Sequence, residues 1–247
     1  MCIRDRNNEL VKSGSKTFTT LEGYKNRLTD ENKKILYSTD EVSQSTALNM
    51  WTSQGKEVLK LDTVIDTQFI PWLEEKNKEI NFVRVDSELD ESIKDDSPEI
   101  ADKDGNTKSE TLKKNISLAL NNEKVTVQIQ NLKGDNSPPS LILLPEQMRR
   151  INDITALMEQ KLPGLPEYHN LIVNSNHPLI QGLLKLNSNQ IVIEGSSKSE
   201  EGQLASDIAI HVYEMAKLSI GGLENKDIAA FQNRNAELLG KLMKNFV

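Results

Sequence analysis

Cysteine is nearly absent: 247 residues carry only Cys2, so no internal disulfide and no cysteine-based zinc site can form. A lone thiol fits a reducing cytoplasm. Aromatic residues make up 4% of the chain, and apolar runs are short. The longest, such as Leu141 to Leu144, fall far short of the roughly 20 residues a membrane-spanning helix needs. Met1 to Asn8 are charged and lack the apolar stretch of a secretory leader. Net positive charge is lacking too. At -7, the chain would be repelled by nucleic acid and by anionic membranes.

Catalytic signatures are missing as well. There is no P-loop, no Gly-x-Gly-x-x-Gly following a strand, no Gly-x-Ser-x-Gly elbow and no His-Glu-x-x-His. His169, His177 and His211 lie far apart without ligand spacing and read as surface or boundary residues rather than metal ligands. The carboxylates cluster in solvated runs such as Asp86 to Asp96, and nothing sets one pair apart for acid–base work. Neither a catalytic residue nor a cofactor or metal site can be named in this chain.

What is present is a sequence of alternating elements. Met1-Cys2-Ile3-Arg4-Asp5-Arg6 shows neither cap nor period, and residues 1–16 are expected to be a leader whose first residues are non-native. Thr20 caps a helix carrying Leu21, Tyr24 and Leu28. Lys34 to Ser38 reads as a strand, Val42 to Ser53 as a helix closed by Gly55, and Glu57 to Leu61 as a second strand. Asp66 is expected to cap a helix through Phe69, Ile70 and Leu73, before a third strand at Phe82 to Val85. Strands and helices at this spacing imply parallel pairing with right-handed crossovers, a small βαβ three-layer unit over residues 17–86.

Residues 87–107 are dominated by Asp, Glu, Lys, Ser and Gly, the composition of a charged linker. An α+β unit over residues 108–247 follows. Leu112, Ile116 and Leu120 mark a helix, and Val125 to Ile129 alternates as a half-buried strand. A Gly-Asp-Asn-Ser-Pro-Pro turn at 134–139 leads to a strand at Leu141 to Leu144, so these two strands are expected to form an antiparallel pair. A helix follows Pro145 to about Lys161, then a strand at Leu171 to Val173 and a helix after Asn176-His177-Pro178. Two helices, about Gln203 to Ile220 and Lys226 to Phe246, close the chain around Gly221-Gly222.

Two apolar surfaces stand out. Met148, Ile151, Ile154, Leu157 and Met158 form one helical stripe, either packed on its own sheet or left as an adaptable contact surface, since methionine repacks around varied partners. In the last two helices, Leu204, Ile208, Val212 and Met215 share one face. Ile228, Phe231, Leu239, Leu242, Met243 and Phe246 mark the other helix. These arcs are wider than one hairpin needs. Either both helices cover their own sheet, or two copies bury the excess in a four-helix bundle across a C2 dimer.

Several segments resemble the ninety-kilodalton heat-shock chaperones, in their bacterial form. They are Leu21-Glu22-Gly23-Tyr24-Lys25-Asn26-Arg27-Leu28, Lys34-Ile35-Leu36-Tyr37, Gly55-Lys56-Glu57-Val58-Leu59-Lys60-Leu61 with Ile65-Asp66, and Leu171-Ile172-Val173-Asn174-Ser175-Asn176-His177-Pro178-Leu179-Ile180. Ala216-Lys217-Leu218 and Gly221-Gly222-Leu223 match the dimerisation helices. The resemblance spans roughly residues 17 to 247 and implies the end of a middle domain followed by a dimerisation domain. It implies a cytoplasmic homodimer that clamps non-native client proteins, driven by ATP and Mg bound in an N-terminal part outside the matched residues. It implies client contact by Met148 to Met158. Near Asp66, Thr67 and Gln68 replace the family's acidic-aromatic pair, so Phe69 and Trp72 are the candidates there. The ending at Val247, without an acidic tail, points to the bacterial type. The alternative is a stand-alone homodimeric scaffold or adaptor without ATPase activity. A small nucleotide-binding enzyme is a weaker reading, because the loop after Tyr37 has no glycine to admit a phosphate.

Overall fold

The computed structural model describes residues 9–12, 15–28, 34–89, 107–133, 137–144, 168–188, 200–220 and 222–244. They fall into two compact units, each with its own sheet.

In the first unit, β1 (Glu9–Lys12), β2 (Ser15–Phe18), β3 (Lys34–Ser38), β4 (Val58–Lys60) and β5 (Asn81–Arg84) form a sheet of order β2-β1-β4-β3-β5. The expected parallel core is there: β3 pairs in parallel with β4 and with β5. Residues expected to be leader contribute to this sheet from Glu9 on. β1 pairs antiparallel with both β2 and β4. Leu10 and Val11, flanked by Glu9 and Lys12, are too short an apolar run to show a period.

Three helices connect the strands. α1 (Leu21–Lys25) starts where the Thr20 side chain accepts from the Gly23 N–H, as expected. α2 (Ser45–Ser53) is followed by Gly55 at a φ of +72°, a left-handed position that favours glycine. α3 (Val64–Lys76) is capped by Thr63 rather than by Asp66, which sits at the third helical position. Asp66 Oδ2 accepts from the Thr63 backbone N–H at 2.9 Å, completing a reciprocal capping box.

Tyr24, Ile35, Tyr37, Leu59, Ile70, Leu73 and Phe82 make one continuous core. Each large apolar side chain buried there contributes about 1.5–3 kcal/mol. Two buried rings of this unit have their polar atoms paired. Tyr24 Oη donates to the Glu57 carbonyl and Trp51 Nε1 to the Val85 carbonyl, both at 2.9 Å.

In the second unit, α4 (Lys108–Leu120) begins with a capping box between Thr107 and Glu110 and ends at Asn121, whose φ of 44° is left-handed. The sheet contains β6 (Val125–Gln130), β7 (Ser140–Leu143) and β8 (His169–Asn174). Its order is β6-β8-β7, which corrects the expected β6–β7 pair. β8 lies between them, parallel to β6 and antiparallel to β7. Leu171, Ile172 and Val173 are all buried, as a central strand covered on both faces requires.

α5 (Pro178–Ser188), α6 (Glu200–Ser219) and α7 (Asn225–Lys244) complete the unit. Asn174 clamps the end of β8. Its Oδ1 accepts from the N–H groups of Leu132 and Asn176 at 3.1 Å, and its Nδ2 donates to the Pro138 carbonyl. His177 Nδ1 accepts the Leu179 N–H at 3.1 Å, and Pro178 takes the first helical position, so the Asn-Ser-Asn-His-Pro run is a strand clamp and a helix cap. α4 packs on β6 and α6, α5 on α6, and α6 on β7.

Candidate interaction surfaces

The packing of α6 decides which of its residues face outward. Its buried stripe is Ala205, Ala209, Val212 and Ala216, with the i, i+4, i+7, i+11 spacing of one helical face. Small side chains bring the helix backbone close to β7, where Ser140 Oγ donates to the Val212 carbonyl at 2.9 Å. Leu204, Ile208 and Met215 lie roughly a quarter turn away around the helix, at 100° per residue. Leu204 and Ile208 are half-buried, while Met215 and Leu218 are exposed.

Val212 requires a correction. At 2% exposure it lies inside its own unit and is not available to a partner, so it supports the apolar face without forming it. Sequence reading missed the alanine stripe because it weighted large side chains. The signal was present in the regular spacing of Ala205, Ala209 and Ala216.

α7 packs on α6 through a seam of polar and aromatic contacts. Arg234 Nη1 donates to both carboxylate oxygens of Glu214 at 2.6 Å, and Lys241 pairs with Asp207 at 3.0 Å. Lys217 lies 3.7 Å from Asp227, and the rings of His211 and Phe231 stack at 5.3 Å. Burial holds the His211 imidazole below its ordinary pKa; Glu214 opposes that shift and Arg234 adds to it. On another side of α6, His169 Nε2 meets Tyr213 Oη at 3.0 Å. Tyr213 is pushed up to about 12, first by burial and then by the Asp227 charge. His169 is buried in this pairing, contrary to the expected surface or boundary position.

No described side chain of α7 is buried. Leu239 and Met243 are 54% and 62% exposed, Ile228 is exposed, and Phe231 is half-buried against His211. The side chain of Leu242 and the whole of Phe246 lie outside the described residues, as do Met148, Ile151, Ile154, Leu157 and Met158.

A second apolar surface lies on α3. Ile70 and Leu73 point into the core, whereas Ile65, Phe69 and Trp72 follow an i, i+4, i+7 spacing on another face. Phe69 and Trp72 stack at 5.4 Å with 18° between their planes. Trp72 is 43% exposed and Ile65 66%, so this aromatic pair has one side in the core and the other in water.

The crevice outside the carboxyl ends of parallel strands is where α/β sheets usually admit phosphates. Here buried, mutually paired side chains take up those strand ends. Arg84 Nε and Nη2 donate to Asp86 at 2.5 and 2.7 Å, and Gln44 Nε2 donates to Asp86 Oδ2 at 3.4 Å. Gln44 Oε1 accepts from Ser38 Oγ at 2.8 Å and from the Thr39 N–H at 3.0 Å. Such a satisfied network specifies the local packing. It does not resemble a phosphate cradle. Among the described residues, no group of three or more His, Cys, Asp or Glu is placed to hold a metal ion. No helix there is long and apolar enough to cross a membrane.

The family model described as "Hsp90 protein" matches residues 8–245. The chain is 31% identical over 179 residues to the chaperone protein HtpG of Porphyromonas gingivalis, a match covering 67% of this chain and 25% of that protein. HtpG of Bacteroides thetaiotaomicron is 29% identical over 160 residues, covering 63% of this chain and 23% of the relative. HtpG of Chlorobium luteolum is 26% identical over 245 residues, covering 94% and 35%. The chain thus spans between about a quarter and about a third of the length of these relatives.

Proposed function

The chain belongs to the Hsp90 family, and on that premise we propose that it is the dimerising, client-contacting part of an ATP-dependent, cytoplasmic chaperone. The unit built on the five-stranded sheet is then the end of a middle domain. The unit from Lys108 onward is the dimerisation domain, with the charged segment of residues 87–107 between them in the sequence.

The observation that carries this reading is the state of α7. It is a 20-residue amphipathic helix with no buried described side chain, beside an α6 that leaves Met215 and Leu218 exposed. A helix with so much uncovered apolar surface needs a further partner. A second copy supplies one by self-complementarity: two α6–α7 hairpins meet as a four-helix bundle and cover Leu204, Ile208, Met215, Ile228, Leu239, Leu242, Met243 and Phe246. The scaffold-only alternative shares this dimer but lacks client binding.

Client contact is assigned to the Ile65, Phe69 and Trp72 face and to the Met148 to Met158 stripe. Stacked aromatics with one side exposed offer apolar area at little entropic cost, which suits transient capture of unfolded segments. ATP and Mg do not fit the residues described here. The carboxyl ends of β3 and β5 are filled by Ser38, Gln44, Arg84 and Asp86, so nucleotide binding and hydrolysis are assigned to another part of the intact chaperone.

Suppression of aggregation of a chemically denatured model protein, without nucleotide, tests the client assignment. Phe69→Ser with Trp72→Ser is expected to weaken suppression several-fold while the circular dichroism spectrum stays unchanged. Undiminished suppression by this variant would remove α3 from the client surface.

A further inference from the structure

The seam between α6 and α7 contains a group that neither dimerisation nor client binding requires. His211 stacks on Phe231 of α7, and its Nδ1 is buried with no hydrogen-bond partner among the described residues. A neutral imidazole tolerates this position, because the bare nitrogen need not carry a proton. An imidazolium does not. Protonation makes Nδ1 a charged donor with no acceptor among the described residues, inside the contact that holds α7.

We propose that His211 is a protonation latch: mild acidification charges its ring within the α6–α7 seam and releases α7 from α6. The charges acting on the ring are known from both helices. Glu214 on α6 favours protonation, Arg234 on α7 opposes it, and these two are paired with each other. The remaining seam charges are engaged in the Asp207–Lys241 and Lys217–Asp227 pairs. On another side of α6, His169 of β8 faces Tyr213 and takes no part in the stack.

Burial depresses the folded-state value, so the neutral ring's contribution is fully present above the ordinary histidine value of about 6.5. That contribution is lost as pH falls below it and through the depressed value. The latch acts within one chain and does not depend on the dimer.

Hydrogen exchange of α7 amides in the full chain, corrected for intrinsic rates, reads the latch at about pH 7.5 and about pH 5.5. α7 protection is expected to fall by up to about tenfold at the lower pH, the linkage limit one unit below the ordinary value, while the turns of α6 that carry Ala209 and Val212 keep theirs. His211→Phe keeps an aromatic stack, and His211→Gln keeps a neutral polar group. Either variant, if folded, is expected to abolish the pH dependence of α7. Equal acid loss in wild type and in a folded variant would overturn the proposal. So would an NMR titration placing His211 at or above the ordinary value. Repeating the exchange in Leu239→Asp/Met243→Asp, in which any bundle between copies is disrupted, separates the latch from dimerisation: persistence there supports it, and disappearance overturns it.

Discussion

The two helices that close the chain are equal in length and opposite in packing. α6 and α7 each have 20 residues, yet α6 buries Ala205, Ala209, Val212 and Ala216 while α7 buries none of its described side chains. α6 therefore derives its stability from its own unit and α7 from a polar seam plus whatever covers its apolar face. The large side chains follow the second role. Met215 and Leu218 on α6, and Leu239 and Met243 on α7, face outward, while on α6 Ala205, Ala209 and Ala216 face in. On α6, small residues mark the core-facing side and the larger Met215 and Leu218 the surface.

Substitutions on the two helices sharpen that contrast. The largest effect is expected from Val212→Asp, which places an uncompensated charge in the interior of the second unit at a cost of about 4 kcal/mol or more. Its circular dichroism should show loss of that unit. Leu239→Asp on α7 should leave the spectrum intact. Ala209→Leu overpacks the close approach of α6 to the sheet and should cost about 1–3 kcal/mol in urea unfolding. A neutral result there would mean that α6 is not held tightly against β7. Ser140→Ala removes the hydroxyl that bonds the Val212 carbonyl and should cost about 1 kcal/mol.

The smallest effect comes from the seam, where Glu214→Gln weakens a partly exposed ion pair by no more than about 1 kcal/mol. At alkaline pH, Tyr213 gives a further check. Its raised value means that stability is complete below the ordinary tyrosine value of about 10 and falls as pH rises towards about 12. Tyr213→Phe should flatten that fall.

Much of the first unit was legible from sequence because its signals are local. The Thr20 cap, the Gly55 stop and the alternation of strands with helices each lie within a few residues, and the parallel core formed as expected. The cap of α3 was misplaced by three residues because Thr63 and Asp66 both take part in one capping box. What stayed hidden is non-local. Nothing between Val125 and Leu144 shows that β8 will separate β6 from β7; that depends on pairing with Leu171 to Val173, which lie further along the chain. The inward face of α6 was hidden for a different reason. A backbone held close to β7 selects alanine, and the large apolar residues lie on the neighbouring face, roughly a quarter turn away. Of the proposed client surface, Phe69 and Trp72 are described and stacked, while Met148 to Met158 lie outside the described residues.

The central claim is that the uncovered faces of α6 and α7 are covered by a second copy. Sedimentation velocity of the intact chain at micromolar concentration, beside Leu239→Asp/Met243→Asp, tests it most directly. The account predicts a dimer for the wild-type chain and a folded monomer for the double variant. A monomeric wild-type chain, or a double variant that still sediments as a dimer, would contradict it.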